Sequence, residues 1–413
     1  MTKEKPNSHS FNLRHLRAFR AVAEKQSISA ASEQVFLSQP AITQAIAKLE
    51  GQLGAALFDR RSDGMVPSGL GRAFQARTGR ALEFIHAGTR EAMRLGARKG
   101  RKGFTSFDQL LTSAQLRALI AVSNAKNFSL AARAMGVSQP TVHRAARDLE
   151  RLSGLTLFVK SNQGIELTSA AHALAQAVKL AFAELEQGIT EIAEMTGVDS
   201  GRIVIGSMPL PRSFILPSAI NALLAERPEI AIQVIDGPYN DLLHGLRHGE
   251  IDVLVGALRN PVPIDDVVQE ALFIDPLVVV GRTGHPLHEK DRISLDDLRH
   301  YPWAIPRRGT PTRASFEAMF EGGERPGSLV ESSSLVLIRG LLQGSDRLTL
   351  ISSHQIRHEQ QLHLLAPIPF TLQGTQRPIG LTLRRDWQPT AAQNLFLEHL
   401  RQAGRRAGQE AVI

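Results

Sequence analysis

The chain of 413 residues contains no cysteine. That excludes disulfides, thiolate metal ligands and thiol redox sensing, and it fits a reducing compartment. No uninterrupted apolar run reaches about 18 residues, so no membrane-spanning helix is expected. The opening MTKEKPNSHS carries no apolar signal-peptide core. Together these absences point to a cytoplasmic protein without a membrane partner. P-loop, dinucleotide, HExxH and GxSxG patterns are all missing, so neither a catalytic residue nor a cofactor is expected. His354, His358 and His363 are spaced to share a helix face, but only Glu359 could join them, and no metal is expected. His285 and His288 belong to a turn and are expected to be exposed.

What is present begins with charge. The formal net charge is +8. About +8 lies before Gly100, about +6 between Arg101 and Lys160, about −5 between Ser161 and Ser200, and about −1 beyond. Two basic blocks therefore precede an acidic stretch and a near-neutral remainder. Basic blocks in folded-looking sequence point to a polyanion partner, although charge alone is equally compatible with solvated surface.

The second feature is a repeat. Shifting the chain by about 100 residues superimposes two segments without a gap. SQPAITQAIAKLEGQLG, Ser38 to Gly54, returns as SQPTVHRAARDLERLSG, Ser138 to Gly154. Leu16, Ala18, Val22, Ser29, Glu50, Leu57-Phe58 and Gly64 all have counterparts. Each copy reads as helix, helix, turn, helix and a short hairpin. Leu16, Phe19, Val22 and Ala23 give the first helix its apolar face. Ser29 is placed to cap a helix from Ala30 to Val35, and Ser38 the third helix, with Pro40 in its first turn. Ile42, Ala45, Ile46 and Leu49 form the buried face of that third helix; Val142, Ala145 and Leu149 do so in the second copy. A long helix follows each copy. The stripe Leu174, Val178, Phe182, Leu185, Ile189, Ile192 and Met195 predicts pairing with another helix. The stripe between Gly71 and Leu95 is weaker, and GARKGRKG, Gly96 to Gly103, reads as a basic linker.

From Gly201 short apolar runs alternate with amphipathic helices, which predicts α/β architecture with largely parallel sheets in two small lobes. The strands expected are RIVIGS, IAIQVIDG, DVLVGAL, PLVVVGR, WAIP, LTLI and IGLTLRR.

The third helices have the chemistry of a major-groove reader. Away from the aliphatic face stand Ser38, Gln39, Pro40, Thr43, Gln44 and Lys48, or Ser138, Gln139, Pro140, His143, Arg144 and Arg147. Glutamine can pair bidentately with adenine, arginine with guanine, and a threonine methyl can meet thymine. A serine at a helix N-terminus can meet phosphate, and Arg60, Arg61 and Lys160 beside the hairpins can reach the backbone or minor groove.

Ser-Gln-Pro followed by AITQAIAKLE, then Leu-Gly, LFDR and PSGLG, resembles the N-terminal winged helix-turn-helix of LysR-type transcriptional regulators. HGEIDVLVG (His248 to Gly256) and GHPL (Gly284 to Leu287) resemble that family's effector domain. The resemblance implies a multidomain fold: winged helix-turn-helix domains rich in α-helix and a two-lobed α/β effector domain similar to type 2 periplasmic binding proteins. The family normally carries one winged helix and this chain carries two. The second copy departs further, with His143 for a small hydroxyl residue and Ala171 where the first has Gly71.

The expected organisation is winged helix 1 at 11–70, helix and linker at 71–110, winged helix 2 at 111–168, a dimerisation helix at 169–198 and an effector domain at 201–405. Its first lobe is expected at 201–267 and 370–405, its second at 268–369. The resemblance implies sequence-specific binding to double-stranded promoter DNA, modulated by a small organic effector, in a homodimer or a dimer of dimers. Parallel-strand ends and helix starts place effector candidates at Ser207, Met208, Pro238, Tyr239, Asn240, Gly256, Arg259, Pro306, Arg307, Thr310 and Arg313. The arginines suit an anionic or other oxygen-rich ligand, such as a sugar. The alternative reading makes the second winged helix a protein-docking module.

Overall fold

The computed structural model describes residues 7–61, 64–96, 104, 106–162, 164–198, 201–321 and 323–410, with only the backbone for Arg60, Arg61 and Glu410. Apart from Gly96, the expected basic linker through Gly103 lies outside these residues. The chain divides into two compact units, Met1–Arg202 with His248–Glu250, and Ile203–Arg247 with Ile251–Ile413.

The first unit contains the repeat. Copy one runs α1 (Leu13–Lys25), α2 (Ile28–Val35), α3 (Gln39–Leu53), β1 (Phe58–Arg61), β2 (Gly64–Pro67) and α4 (Gly69–Leu95). Copy two runs α5 (Ser113–Ala125), α6 (Phe128–Met135), α7 (Gln139–Ser153), β3 (Phe158–Ser161), β4 (Gly164–Leu167) and α8 (Ser169–Met195). The expected apolar faces of α1 and α3 are buried. In α7 the buried alanine is Ala146, and Ala145 is only half-buried. α2 starts earlier than expected: Ser27, not Ser29, accepts the cap bond from the Ala30 N–H at 3.3 Å. Ser38 and Ser138 occupy N-cap positions without making a side-chain cap bond; the Ser138 hydroxyl pairs with that of Thr141 at 2.8 Å. Pro40 and Pro140 sit in the first turn, where a missing N–H leaves no bond broken. Gly54 and Gly154 end the helices in the left-handed region.

The wing is fastened at the same positions in both copies, with one added bond in the second, from the Phe158 N–H to Glu150 at 3.1 Å. The Glu50 carboxylate accepts from the Leu57 N–H at 2.8 Å, as Glu150 does from Leu157 at 2.8 Å. The Met65 N–H donates to the Gln26 carbonyl, and the Ile165 N–H to that of Lys126. A Cβ at Gly64 or Gly164 would strike the same two carbonyls, so only glycine fits there.

α4 and α8 pack antiparallel: Gly69 lies by Met195, Phe74 by Gly188 and Gly88 by Ala177. The α8 stripe expected to meet a second chain is covered by α4 of the same chain. Leu174, Val178, Phe182, Leu185 and Ile192 are buried, whereas Met195 is 55% exposed.

The second unit has two five-stranded sheets. The first lobe comprises β5 (Arg202–Ser207), α9 (Ile215–Glu226), β6 (Ala231–Asp236), α10 (Tyr239–Arg247), β7 (Val253–Ala257) and β8 (Val267–Asp275). The chain then crosses into the second lobe: β9 (Leu277–Arg282), α11 (Leu295–Arg299), β10 (Trp303–Ile305), α12 (Pro311–Met319), β11 (Leu329–Glu331), α13 (Leu335–Gln343), β12 (Leu348–Ser352), α14 (Arg357–Gln361) and β13 (Leu365–Pro367). It returns as β14 (Arg377–Arg384) and ends in α15 (Ala391–Glu410). Strand orders are β6-β5-β7-β14-β8 and β11-β10-β12-β9-β13.

Two expectations are corrected here. The sheets are mixed: β5 pairs parallel with β7, but β14 is antiparallel to both β7 and β8, and β9 to both β12 and β13. The lobe boundary lies at 275–277 rather than 267, because β8 hydrogen-bonds to β14 along its whole length. The β8 segment VVQEALFID is exposed at Val268, Ala271 and Ile274, and its Gln269 and Glu270 break the apolar run that marks a buried strand. α9 and α15 cover one face of the first sheet, burying Leu223, Phe396 and Leu400 against Ile205, Val255 and Leu381. The core of the second lobe is Trp303, with Phe316 and Phe320 edge-on at 5.1 and 5.9 Å. Among the described residues no helix is long and apolar enough to cross a membrane.

Candidate DNA-reading helices and ligand cleft

α3 separates its residues cleanly. Ile42, Ala45, Ile46 and Leu49 are buried, while Ser38, Gln39, Pro40, Thr43, Gln44 and Lys48 are all exposed. The Thr43 hydroxyl donates to the Gln39 carbonyl at 3.0 Å, which leaves its methyl and both glutamine side chains facing outward. α7 exposes Ser138, Gln139, Pro140, His143, Arg144 and Arg147, but its own chain engages four of them, Ser138 through the Thr141 hydroxyl. The Gln139 side-chain Oε1 accepts from the Ser129 hydroxyl at 3.0 Å. His143 sits edge-on to Phe128 at 5.1 Å. Arg147 pairs with Glu150 at 2.6 Å, although that arginine is still 54% exposed. Arg144 has no such tie among the described residues. Lys160 is exposed on the second wing; Arg60 and Arg61 lie in β1, their side chains outside the described residues.

The second unit holds an open cleft of about 1630 Å³. Met208, Pro238, Tyr239, Asn240, Arg259, Pro306, Arg307 and Thr310 line it, as expected. Three expected residues do not. Ser207 is fully buried and donates its hydroxyl to the Met208 carbonyl at 3.0 Å. Gly256 serves the site indirectly, since any Cβ there would collide with the Met208 side chain. Arg313 is 5% exposed and turned away from the ligand space, its guanidinium held by Glu317 at 2.9 Å and Glu331 at 3.1 Å.

The walls carry Arg212, Arg259, Arg307, Arg308 and Arg377 against Asp236 and Glu331, so the cleft is electropositive. Arg212 is 3.4 Å from Asp236. The Arg259 guanidinium lies 4.5 Å above the Tyr239 ring, with no carboxylate partner among the described residues. Burial lowers the Arg259 pKa and raises that of the Tyr239 phenol, which favours a neutral hydroxyl beside a cation in want of an anion. The N-termini of α10, α12 and α13 also face this space, adding partial positive charge.

Sequence reasoning missed Arg377, Gln355 and Ser332–Ser334 of the lining. SSSL before an apolar helix is a capping signal, and the Ser334 hydroxyl does accept from the Leu337 N–H. Arg377 gave no local signal. It joins the buried Asp275 at 3.1 Å and donates to the Thr312 hydroxyl at 2.6 Å. Asp275 also accepts from the Ser352 hydroxyl and contacts His354 Nδ1 at 3.1 Å. His354 is thus buried among polar partners, its Nε2 near the Ala407 carbonyl at 3.2 Å. Among the described residues no His, Asp and Glu cluster is arranged to hold a metal. His285, expected exposed, is fully buried: its Nδ1 accepts from the Leu287 N–H and its Nε2 faces the Asp346 carbonyl.

Two winged helix-turn-helix heads and a cleft between α/β lobes define a ligand-responsive DNA-binding regulator. Residues 13–72 and 113–172 each match the profile described as "Bacterial regulatory helix-turn-helix protein, lysR family", and residues 196–405 match "LysR substrate binding domain". The HTH-type transcriptional regulator GalR of Pseudomonas putida is 34% identical over 375 residues, covering 90% of this chain and 92% of that protein. PcaQ of Agrobacterium fabrum, another HTH-type transcriptional regulator, is 26% identical over 72% of this chain and 96% of its own length. Among solved structures, CbnR, a LysR family transcriptional regulator, is 22% identical, covers 70% of this chain and 98% of that one, and gives a TM-score of 0.49. The chain belongs to the LysR family of transcriptional regulators. It is a sequence-specific DNA-binding regulator of a class typically modulated by effectors, not an enzyme. Members of the family generally bind promoter DNA and small-molecule effectors as dimers or tetramers.

Proposed function

We propose that α3 and α7 both enter the major groove of promoter DNA, and that a small organic anion settles in the cleft and changes how the heads meet the promoter. The observation that carries the DNA reading is the division of α3: its aliphatic residues are buried and its Gln39, Thr43, Gln44 and Lys48 are exposed on one surface. The anion reading rests on the five arginines of the cleft, above all the unpaired Arg259. Coupling requires the ligand to bind one arrangement of the lobes more tightly than another.

A second reading has one observation in its favour. Gln139, His143 and Arg147 are engaged within their own copy, as a docking surface would tolerate. Against it stand exposed Arg144 and Lys160 in a basic block. Footprinting at fixed salt separates the two: Arg144→Ala with Arg147→Ala should erase part of the protected region, and full protection would leave α7 a docking role. Calorimetry with a panel of carboxylates and neutral sugars tests the ligand. Carboxylates should bind, with affinity about 10- to 100-fold weaker in Arg259→Ala. Equal binding of neutral sugars would overturn the anion reading.

A further inference from the structure

We propose that a single chain is a complete two-headed DNA-binding unit, whose helices α4 and α8 are specified for each other by Arg77 and its carboxylate partners. The consequence for DNA, one chain for two half-sites, rests on the reading that α3 and α7 both meet the duplex.

The first observation is an exchange symmetry in the contacts. Gly88 packs against Ala177, and Gly188 against Arg77. Those are the same two positions with the copies interchanged. The Ser8 N–H donates to Glu186 at 3.2 Å, while Asp108 meets His86 Nδ1 at 3.1 Å, again the same positions exchanged. Two copies of one fold thus face each other across an approximate twofold axis, as two subunits would, yet they belong to one chain.

The second observation breaks the symmetry. Arg77 is 3% exposed and donates to Glu184 at 2.9 Å, to Gln187 at 2.7 Å and to Glu191. Burial by itself would lower the Arg77 pKa, but the hydrogen bonds to Glu191 and Glu184 outweigh it and raise the value. Arg80 adds a bond to Glu184 at 2.9 Å. The counterpart of Arg77 is Ala177, that of Arg80 is Leu180, and those of Glu184, Gln187 and Glu191 are Phe84, Ala87 and Glu91. The full network, with Glu184 and Gln187, therefore exists only when copy one meets copy two. Pairing α8 with a second α8 in this geometry would bury Glu184 against Ala177 with no cation. Pairing α4 with a second α4 would set Arg77 against Phe84 and Ala87, with Glu91 as its one remaining partner from the network. A buried charge that loses partners is unfavourable, so both like-with-like pairings are disfavoured, the α8 pairing more strongly because Glu184 would have no cation.

The absence of native cysteine makes the test direct. Ser8→Cys and Glu186→Cys in the full chain, joined by a short bis-maleimide, should give a cross-linked species of one-chain size on a denaturing gel at every protein concentration. A two-chain band, or no cross-link, overturns the proposal. Neither position belongs to the DNA-reading or ligand-binding surfaces. Co-expressing the two single variants as differently tagged chains guards against a misfolded double variant: no mixed cross-link is expected, and a mixed species overturns the proposal. Both arms are read without DNA. Native mass measurement on a duplex carrying one two-part site then reads the consequence, one chain per site. Intrachain cross-linking with two chains per site would leave the pairing standing and sink the reading of DNA by both heads.

Discussion

Leu13–Leu95 and Ser113–Met195 are the same fold built from two sequences, and they differ in a patterned way. Positions that fix the backbone are retained. Glu50 and Glu150 hold the wing, Gly64 and Gly164 fit under a carbonyl, and Gly54 and Gly154 end the third helix. Positions on the reading face have changed: Thr43 and Gln44 against His143 and Arg144. Positions where the copies touch have changed reciprocally, Arg77 being lost as Ala177 in one helix while Glu184 stands for Phe84 in the other. Backbone constraints act within each copy, so they persist in both. Pairing constraints act between copies, so complementary charge can be divided between them.

The comparison can be broken at its contact face first. Arg77→Ala leaves Glu184 buried without its main cation and should destabilise the first unit by about 3–5 kcal/mol, read by denaturant unfolding. Ala177→Leu, on the opposite helix, tests packing instead, because it intrudes on Gly88; a loss of about 1–3 kcal/mol is expected. The reading faces come next. Gln39→Ala with Gln44→Ala should weaken operator binding by about 1–3 kcal/mol per lost base pairing, and change which bases are preferred in one half-site only. Glu50→Ala and Glu150→Ala should each free a buried amide, about 1–3 kcal/mol by thermal unfolding, with the larger loss in the second copy, where Glu150 also accepts from the Phe158 N–H and pairs with Arg147. The smallest effect is expected at Lys160→Ala, which should lower affinity evenly across sequences and reduce the salt slope by roughly 0.9.

The repeat made the first unit readable. Two copies reveal which positions are frame, and a period of three to four residues reveals the buried faces of α1, α3 and α8. What was hidden depended on contacts remote in sequence. The buried positions of α4 include Arg77, Thr78, Ala81, Gly88, Thr89 and Ala92, small or polar residues that dilute the apolar period of Phe74 and Ile85. The covering of α8 within its own chain was therefore not legible. The cap of α2 was misplaced because Ser27 and Ser29 both suit a cap, and only backbone geometry chooses between them. In the second unit the parallel core strands were legible as apolar runs, while the edge strand β8 was not. Eight of the eleven expected cleft residues line it. Ser207, Gly256 and Arg313 sit behind its wall because strand alternation and local ion pairs, invisible in a linear reading, turn them inward. His285 resembled an exposed turn residue but fills a pocket beside Tyr301, ring centroids 4.6 Å apart.

Footprinting one operator at fixed salt with two variants, Gln39→Ala with Gln44→Ala and Arg144→Ala with Arg147→Ala, tests the central claim most directly. If one fold has become two readers in one chain, each variant loses protection over a different part of the site. Unchanged protection in the Arg144→Ala, Arg147→Ala variant would contradict it.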